Sequence, residues 1–432
     1  MLYRPLWFAL FFIYRVFFRR FYTSGFENIV KNKPIIFVGN HVNAFLDPLM
    51  MPTQFWKKGY FIVRGDIFNT PLKRWALWQT HQLPIFRGRD GKENILKNDA
   101  TYEKSYELLG KNNWIVIFPE GDCVQEKHLR PIKKGTTRMA FGAMEKYGWN
   151  IDLHLVPNTQ NYSHPANFRS EVMVNVGKPI RLLDYKELYE QGEAKALNKL
   201  TKDIQEGILK IYIHIENRAD LQLFEDLIEI ERNNNPQKLL PWKPKDHDRF
   251  KREQKVANHI NFLRETNETE LEKIKSSATS YHNKLKYLGL NDNYLGNFKP
   301  NVVLGVFFSL LFLPVFIIGY LLNIIQFKVA DYFAINKIKL IHFKNSIRLG
   351  FLLVINLLVM LILMIVISFY NITLAFALPF IVLLLAWITI TYKEQILIIY
   401  NFKRFQKIEN KNKVKVDELR KLRSEIWDTL NK

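Results

Sequence analysis

The chain has 432 residues, a formal net charge of +21, 48% hydrophobic residues and 14% aromatic residues. Such a positive charge suits an anionic surface or anionic substrates. The apolar residues gather in long uncharged runs that a soluble nucleic-acid binder could not hide from water, so we predict a phospholipid membrane as partner and no nucleic acid. Cys123 is the single cysteine, which excludes an intramolecular disulfide and a zinc site made of several thiolates.

An apolar stretch from Leu6 to Phe18 opens the chain, and arginines flank or interrupt it. No small-residue cleavage site follows, so the sequence does not indicate a cleaved signal peptide. Arg15 inside the stretch favours a helix that lies in or dips into the membrane interface over one that spans the bilayer. We place this membrane-associated helix in residues 1–25.

Short β-branched or aromatic runs then alternate with helix-like stretches from Lys33 to Ile180. This alternation predicts an α/β domain. Helical spacing in residues 197–211 and 221–230 predicts amphipathic helices after it, so we assign residues 26–232 to the domain and its trailing helices. The predicted strands are 35–38, 60–63, 114–118, 153–156 and 172–176, and the predicted helices within the domain are 102–110 and 136–147.

Prolines interrupt the pattern after the domain, in residues 233–236 and 241–244. Proline lacks the backbone donor of a helix, and the residue before it avoids helical geometry. A charged stretch with helical character follows in residues 246–288. The sequence therefore predicts a linker and a charged helical segment over residues 233–300.

Long uncharged runs mark the C-terminal part of the chain. No charged residue occurs between Lys299 and Lys328, nor between Arg348 and Lys393. The second run is long enough for two helices of about twenty residues each. We predict a transmembrane hairpin of residues 349–369 and 373–390, and its two basic ends place both ends in the cytoplasm.

Residues 302–325 form the first apolar segment of this transmembrane region, which covers residues 301–392. The segment connects two parts that we predict to be cytoplasmic, so one clean crossing does not fit the charge pattern. Pro314 would allow a broken, re-entrant helix, and we favour that interpretation over a full span. Residues 393–432 are predicted to be a basic cytoplasmic tail.

A histidine and an aspartate follow the first predicted strand of the domain. His41 and Asp47 are separated by five residues in the sequence Asn-His-Val-Asn-Ala-Phe-Leu-Asp-Pro. An imidazole can take the proton from a hydroxyl that attacks a thioester, and a carboxylate on its other nitrogen fixes the tautomer. The pair is the His–Asp part of a triad whose hydroxyl belongs to the substrate. By itself such a pair is more often a surface feature or a loop cap.

Three further blocks follow the pair in a fixed order. They are Leu-Pro-Ile-Phe-Arg ending at Arg87, Phe-Pro-Glu-Gly with Glu120 and Gly121, and Leu-Val-Pro ending at Pro157. Together with the His–Asp pair, they resemble the four ordered motifs of the PlsC-like glycerolipid acyltransferase superfamily, over about residues 34–180. The resemblance implies a mixed sheet flanked by helices, joined to an N-terminal membrane-associated helix and C-terminal transmembrane helices.

Two departures from the superfamily pattern carry information. The spacer between His41 and Asp47 is one residue longer than usual, and with Asn161-Tyr162 and Phe168-Arg169-Ser170 it resembles a subgroup of yeast-type glycerol-3-phosphate/dihydroxyacetone-phosphate acyltransferases. Asp122 and Cys123 stand where the family usually has threonine and arginine. The resemblance implies that His41 and Asp47 are catalytic and that the acceptor's phosphate and glycerol are bound by Arg87, Glu120 and Gly121. We expect the cations Lys133, Lys134 and Arg169 to compensate for the departure. Glu120 is expected to bind the glycerol hydroxyl or to orient Arg87.

We therefore predict a membrane-bound O-acyltransferase that moves an acyl group from a thioester to glycerol 3-phosphate or dihydroxyacetone phosphate in phospholipid biosynthesis. The alternative acceptor is 1-acylglycerol 3-phosphate, and a remote alternative is a non-catalytic membrane scaffold or transporter. Acyl-CoA and acyl carrier protein both remain open as the donor, and no cofactor or metal is expected. The catalytic domain is predicted on the cytoplasmic face of the membrane, which in a bacterium is the inner membrane. Cys123 as an acyl-carrying nucleophile is disfavoured, because direct transfer needs no covalent intermediate.

Overall fold

The computed structural model describes residues 3–54, 57–236 and 247–430, so the prolines of the linker predicted at 241–244 lie outside the described residues. The chain divides into two compact units. The first contains the described residues up to Tyr212 together with Ala330–Leu353, and the second contains the remaining described residues. The predicted boundaries at residues 25, 232, 300 and 392 stay predictions, because compactness alone does not test them.

One eight-stranded mixed sheet forms the centre of the first unit. The strands are β1 (Arg20–Ser24), β2 (Ile35–Gly39), β3 (Gly59–Arg64), β4 (Gln82–Ile85), β5 (Trp114–Ile117), β6 (His154–Tyr162), β7 (Glu171–Val176) and β8 (Ile180–Arg181). Their order is β1-β7-β6-β2-β5-β3-β4, with β8 also paired to β6. The pairs β6–β7 and β6–β8 are antiparallel and the others are parallel.

Helices flank this sheet, which confirms the predicted α/β fold. They are α1 (Tyr3–Phe17), α2 (Leu46–Thr53), α3 (Pro71–Gln79), α4 (Lys92–Ile95), α5 (Asn98–Gly110), α6 (Gly135–Lys146), α7 (Lys186–Gln191) and α8 (Glu193–Leu209). The core lies where the β-branched residues of β2 and β5 meet the apolar stripes of α5, α6 and α8. Burial of this core fixes the carboxyl end of β2, from which the His–Asp pair follows.

Three strands of the sheet have no counterpart among the predicted strands. In β1, charged and hydroxyl residues accompany the aromatic ones, and β8 has only two residues. The four-residue β4 contains Pro84 and lies at the edge of the sheet, where a missing backbone donor is tolerated. Strand β6 extends to Tyr162, well beyond the predicted 153–156, because its polar second half is buried and pairs with β7. Local apolar patterning cannot indicate such strands.

The remaining helices are long. They are α9 (Leu221–Asn234), α10 (His247–Thr266), α11 (Glu268–Leu288), α12 (Val302–Leu311), α13 (Leu313–Tyr332), α14 (Ile341–Ser368), α15 (Ile372–Lys411) and α16 (Lys413–Leu430). Buried ion pairs join the charged helices of the second unit. Asp292 is fully buried and accepts two hydrogen bonds from Arg423 of α16, at 2.7 and 3.0 Å. Such pairs fix one arrangement of the helices, since each buried charge requires its partner.

Three described helices are long and apolar enough to cross a membrane: Leu313–Lys337, Ile341–Ser368 and Ile372–Lys411. The break between the last two falls at residues 369–371, as the predicted hairpin requires. Residues 302–325 form two helices with a break at Phe312, and Pro314 lies in the first turn of α13, where proline is tolerated. Whether this segment spans the membrane or re-enters it stays a prediction.

Helix α14 begins eight residues before the predicted start of the hairpin at residue 349. The prediction took only the uncharged run, whereas the helix also includes two polar turns with Lys344 and Arg348. These turns, residues 341–348, belong to the first unit. We call them the α14 entry turns.

Candidate active site

The His–Asp pair lies past the carboxyl end of β2, an edge where parallel α/β sheets place their ligand sites. His41 follows the strand, and Asp47 lies in the first turn of α2. His41 Nδ1 is 2.9 Å from Asp47 Oδ2. The five-residue spacer therefore still brings the two side chains into contact, because the chain folds back at the start of α2.

Asp47 is fully buried and its carboxylate is held from several sides. Oδ2 accepts from the backbone amides of Val42 (2.6 Å) and Asn43 (2.7 Å), and Oδ1 accepts from the Tyr162 hydroxyl (2.5 Å). Burial and the charge of Asp47 raise the pKa of Tyr162 well above its usual value, so this hydroxyl remains a donor. These bonds hold the carboxylate in one position, which fixes the orientation of His41.

The ring of His41 is positioned for proton transfer. It stacks on Phe118 with centroids 4.3 Å apart and planes at 14°. Because Nδ1 faces Asp47, the nitrogen left for a substrate is Nε2. Among the described residues no hydrogen-bond partner of His41 Nε2 occurs, and the side chain is 18% exposed. The arrangement can remove a proton from a hydroxyl that approaches Nε2.

Glu120 connects the His–Asp loop to the loop after β5. Its Oε1 accepts from the backbone amide of His41 at 2.8 Å, and its Oε2 accepts from Arg130 Nε at 3.1 Å and from the Arg130 amide at 3.2 Å. Arg130 also donates to the carbonyl of Asp122. Glu120 thus contacts Arg130 rather than Arg87, which differs from the predicted role in orienting Arg87. Its position indicates that it holds the backbone of His41.

Arg87 and Gly121 lie next to each other, as the resemblance implies. Arg87 Nη1 is 3.5 Å from the Gly121 carbonyl oxygen and 3.1 Å from Asp122 Oδ1, and the guanidinium also pairs with Asp90 at 3.2 Å. Gly121 has φ +74°, a conformation that strains other residues. A Cβ there would lie 2.5 Å from Lys133 Nζ, so Lys133 reaches the same loop. Within the described part of the chain, no carboxylate pairs with this exposed ammonium.

Arg169 is placed elsewhere in the fold. Its guanidinium donates to the carbonyls of Val16 and Phe18 at 3.0 Å each, and its own amide donates to the Phe17 carbonyl at 3.1 Å. These bonds tie the loop after β6 to the end of α1. We therefore assign Arg169 a structural role in place of the predicted contact with the acceptor.

Two residues of the site were not assigned by the sequence. Tyr162 belongs to the subgroup block quoted above, and its contact with Asp47 depends on the polar extension of β6. Arg130 lies in an irregular segment between β5 and α6 and carries no local pattern at all. Its pairing with Glu120 is determined by tertiary structure alone. A buried glutamate in a motif was the only available signal that a cation should lie nearby.

His41, Asp47 and Cys123 are the group of potential metal ligands near the site, with their ligand atoms within 4.8 Å of one another. The fit to a metal ion is poor. Asp47 Oδ2 already accepts two backbone amides and contacts His41 Nδ1. Burial, with the charge of Asp47 as the next cause, raises the pKa of the Cys123 thiol, whereas a metal ligand needs the thiolate. We assign no metal to these residues.

Replacing Cys123 by alanine is expected to leave acyl transfer within about threefold of the unmodified chain, because a partly buried thiol with a raised pKa is a poor nucleophile. The measurement is the transfer rate of the purified variant. A fall of several orders of magnitude, with normal folding, would establish a covalent acyl-cysteine route instead.

A histidine–carboxylate pair beside a loop that carries Arg87 and Lys133 is able to act as a general base on the hydroxyl of an anionic substrate. Residues 20–159 match the sequence model of the family described as Acyltransferase. This match agrees with the resemblance that the ordered motifs indicated.

Several characterised relatives are similar to this chain. Glycerol-3-phosphate O-acyltransferase 1 of Saccharomyces cerevisiae is 27% identical over 208 residues, 47% of this chain and 26% of the relative. The 1-acyl-sn-glycerol-3-phosphate acyltransferase of Borreliella burgdorferi is 26% identical over 193 residues, 44% of this chain and 70% of the relative. The chain therefore spans about a quarter of the length of the yeast protein.

Among solved structures, the chain matches the 1-acyl-sn-glycerophosphate acyltransferase PlsC of Thermotoga maritima. The match has a TM-score of 0.34 and 16% identity, and it covers 47% of this chain and 77% of that one. At this level of similarity the structural match adds nothing to the assignment, which depends on the family and the site.

Proposed function

We propose that this protein is a membrane-bound O-acyltransferase that transfers a fatty acyl group from an acyl thioester to the hydroxyl of a glycerol phosphate. The observation that carries the proposal is the contact between His41 Nδ1 and Asp47, which leaves Nε2 open beside the loop of Gly121, within an acyltransferase domain. Glycerol 3-phosphate or dihydroxyacetone phosphate is the proposed acceptor, since the yeast relatives bear the name glycerol-3-phosphate O-acyltransferase.

The proposed reaction uses the chain's own groups for proton transfer. His41 Nε2 takes the proton of the acceptor hydroxyl as its oxygen attacks the thioester carbonyl. The C–S bond breaks when the tetrahedral intermediate collapses, and the leaving thiolate takes the proton from His41. Asp47 keeps the imidazole oriented and stabilises its protonated form during the cycle. The scheme needs no cofactor and no metal, and either acyl-CoA or acyl carrier protein can supply the thioester.

Lys133 is the cation that we propose for the acceptor's phosphate. Arg87 is already paired with Asp90 and Asp122, whereas the ammonium of Lys133 lies beside Gly121 without a carboxylate partner within the described ranges. Arg87 then supports the loop and contributes charge to the same site. A charge-assisted hydrogen bond to phosphate is among the stronger polar contacts in proteins.

Replacing Lys133 by alanine is therefore expected to raise KM for glycerol 3-phosphate by about tenfold or more, with a smaller effect on kcat. Lys134 is the matched control: the atoms nearest a Cβ at Gly121 belong to Lys133 and not to Lys134, so replacing Lys134 should leave KM unchanged. The measurement is steady-state kinetics with varied acceptor. Equal KM values for the unmodified chain and the Lys133 variant would remove Lys133 from the phosphate site.

A second acceptor, 1-acylglycerol 3-phosphate, is supported by the relatives from Borreliella burgdorferi, Brassica napus and Pseudomonas aeruginosa, whose names specify it. The deciding experiment gives the purified full chain each acceptor with each donor, acyl-CoA and acyl carrier protein. We expect monoacylated glycerol phosphate as the main product. Faster formation of phosphatidate from the lysolipid would assign the second step instead, and no ester with any pair would exclude an acyltransferase.

The protein is membrane-associated by virtue of its three apolar helices, and we propose that the catalytic unit lies at the cytoplasmic surface. Helix α3 supports contact with lipid. It exposes Leu72, Trp75 and Trp78 at 74%, 55% and 47%, with Lys73 and Arg74 on the same helix. Tryptophan with adjacent cations is typical of a helix at an anionic membrane interface.

A further inference from the structure

The backbone amides of the spacer between His41 and Asp47 donate hydrogen bonds to two different parts of the chain. Val42 and Asn43 donate to Asp47 within the loop. The next two amides leave the loop: Ala44 N donates to the His342 carbonyl at 3.2 Å, and Phe45 N donates to Ser346 Oγ at 2.9 Å. Both acceptors lie on the α14 entry turns, although the matching acyltransferase domain ends near residue 159.

Side chains strengthen the same contact. The ring of Phe45 lies 5.8 Å from that of Phe343, edge to face. Asn345 is buried and donates to the carbonyls of Pro165 (2.7 Å) and Asn167 (3.1 Å). Asn43 of the spacer donates to the same Pro165 carbonyl at 3.2 Å. The entry turns thus hold the spacer directly and also through the loop after β6.

A polar network keeps the entry turns in one orientation. Arg348 donates to Asn345 Oδ1 at 2.7 Å and pairs with Asp331 at 2.6 Å. With its oxygen occupied by Arg348, the amide group of Asn345 must point its NH₂ at the loop carbonyls. An isolated transmembrane helix would not need these contacts, since its own backbone bonds are made within the helix.

We propose that the α14 entry turns are a positioning element of the active site, which holds the His41–Asp47 spacer in its catalytic geometry. Ser346 is the positioning residue, acting through the amide of Phe45. Asp47 accepts only from the first two amides of the spacer, and the α14 entry turns supply the acceptors for the next two. The proposal rests on the proposed function, because it concerns the geometry of the base.

The test compares Ser346→Ala with Ser346→Thr in the full-length protein in lipid nanodiscs. Ser346→Ala is expected to lower kcat about tenfold with both KM values nearly unchanged, since the loss is one of alignment. Ser346→Thr keeps the hydroxyl and should restore most of kcat. Ser368→Ala is the matched control, because that serine lies at the other end of the same helix and bonds only within it. Equal kcat for Ser346→Ala and the unmodified chain overturns the proposal.

Hydrogen exchange reports the contact without relying on activity. The backbone amides of peptides covering residues 42–46 should exchange faster in Ser346→Ala than in the unmodified chain. In Ser368→Ala their exchange rate should be unchanged. Phe343→Leu, which keeps an apolar side chain but loses the ring contact, should show a smaller rise and serves if Ser346→Ala does not fold. Unchanged exchange in both variants overturns the proposal, as does faster exchange with normal kcat. If the unmodified chain shows no transfer with any pair of donor and acceptor, the proposed function is refuted. Hydrogen exchange would still show whether the entry turns hold the spacer.

Discussion

Replacing His41 by alanine is expected to lower kcat for acyl transfer by about a thousandfold or more, with the protein still folded and membrane-bound. The reason is that Nε2 is the nitrogen left open by the contact of Nδ1 with Asp47. Asp47 keeps its hydrogen bonds from the amides of Val42 and Asn43 and from Tyr162 in this variant, so the protein should remain folded. The measurement is product formation from a labelled acyl donor under single-turnover conditions.

His282 provides the control for this prediction, since it is a partly buried histidine on α11 in the second unit. Its replacement by alanine should leave the transfer rate unchanged. Asp47→Asn should also be strongly impaired, because the amide has one acceptor oxygen where the carboxylate has two and carries no charge to stabilise a protonated His41. A His41 variant that retains more than a tenth of the rate would show that another group takes the proton.

The sequence predicted the site residues that belong to short local motifs. His41, Asp47, Glu120 and Gly121 lie in short motifs next to strand ends, and motifs at the ends of neighbouring strands meet at one edge of the sheet. A residue that contacts a motif residue in the fold but carries no motif of its own could not be predicted in this way. Arg130 has no pattern of its own, and Arg169 looked like a ligand-binding cation although its guanidinium donates to main-chain carbonyls of α1.

The same distinction applies to the membrane region. An uncharged run predicts where a helix crosses lipid, because charge is excluded from the hydrocarbon core. It does not predict where the helix begins, since the polar turns with Asn345, Ser346 and Arg348 lie outside that run. These turns are the ones that contact the spacer. Their contribution could only be recognised once residues separated by three hundred positions were placed together.

Glu120→Ala is expected to destabilise the first unit by about 3–5 kcal/mol and to lower transfer about a hundredfold in the fraction that folds. The carboxylate is buried and accepts three hydrogen bonds, one from the His41 amide and two from Arg130. Removing the carboxylate leaves the partly buried guanidinium of Arg130 without this partner. Removing only one member of a buried ion pair is strongly destabilising. The backbone of His41 loses its anchor at the same time.

Stability and catalysis can be measured separately for this variant. Denaturant unfolding followed by tryptophan fluorescence gives the free-energy change, and transfer normalised to folded protein gives the catalytic loss. Glu107→Ala is the matched control, since its carboxylate pairs with Lys104 on the surface of α5 and its loss should change neither quantity appreciably. A Glu120 variant that loses stability but keeps its normalised rate would mean that Glu120 serves only the fold. Loss of both would establish that the loop after β5 holds the catalytic histidine in place.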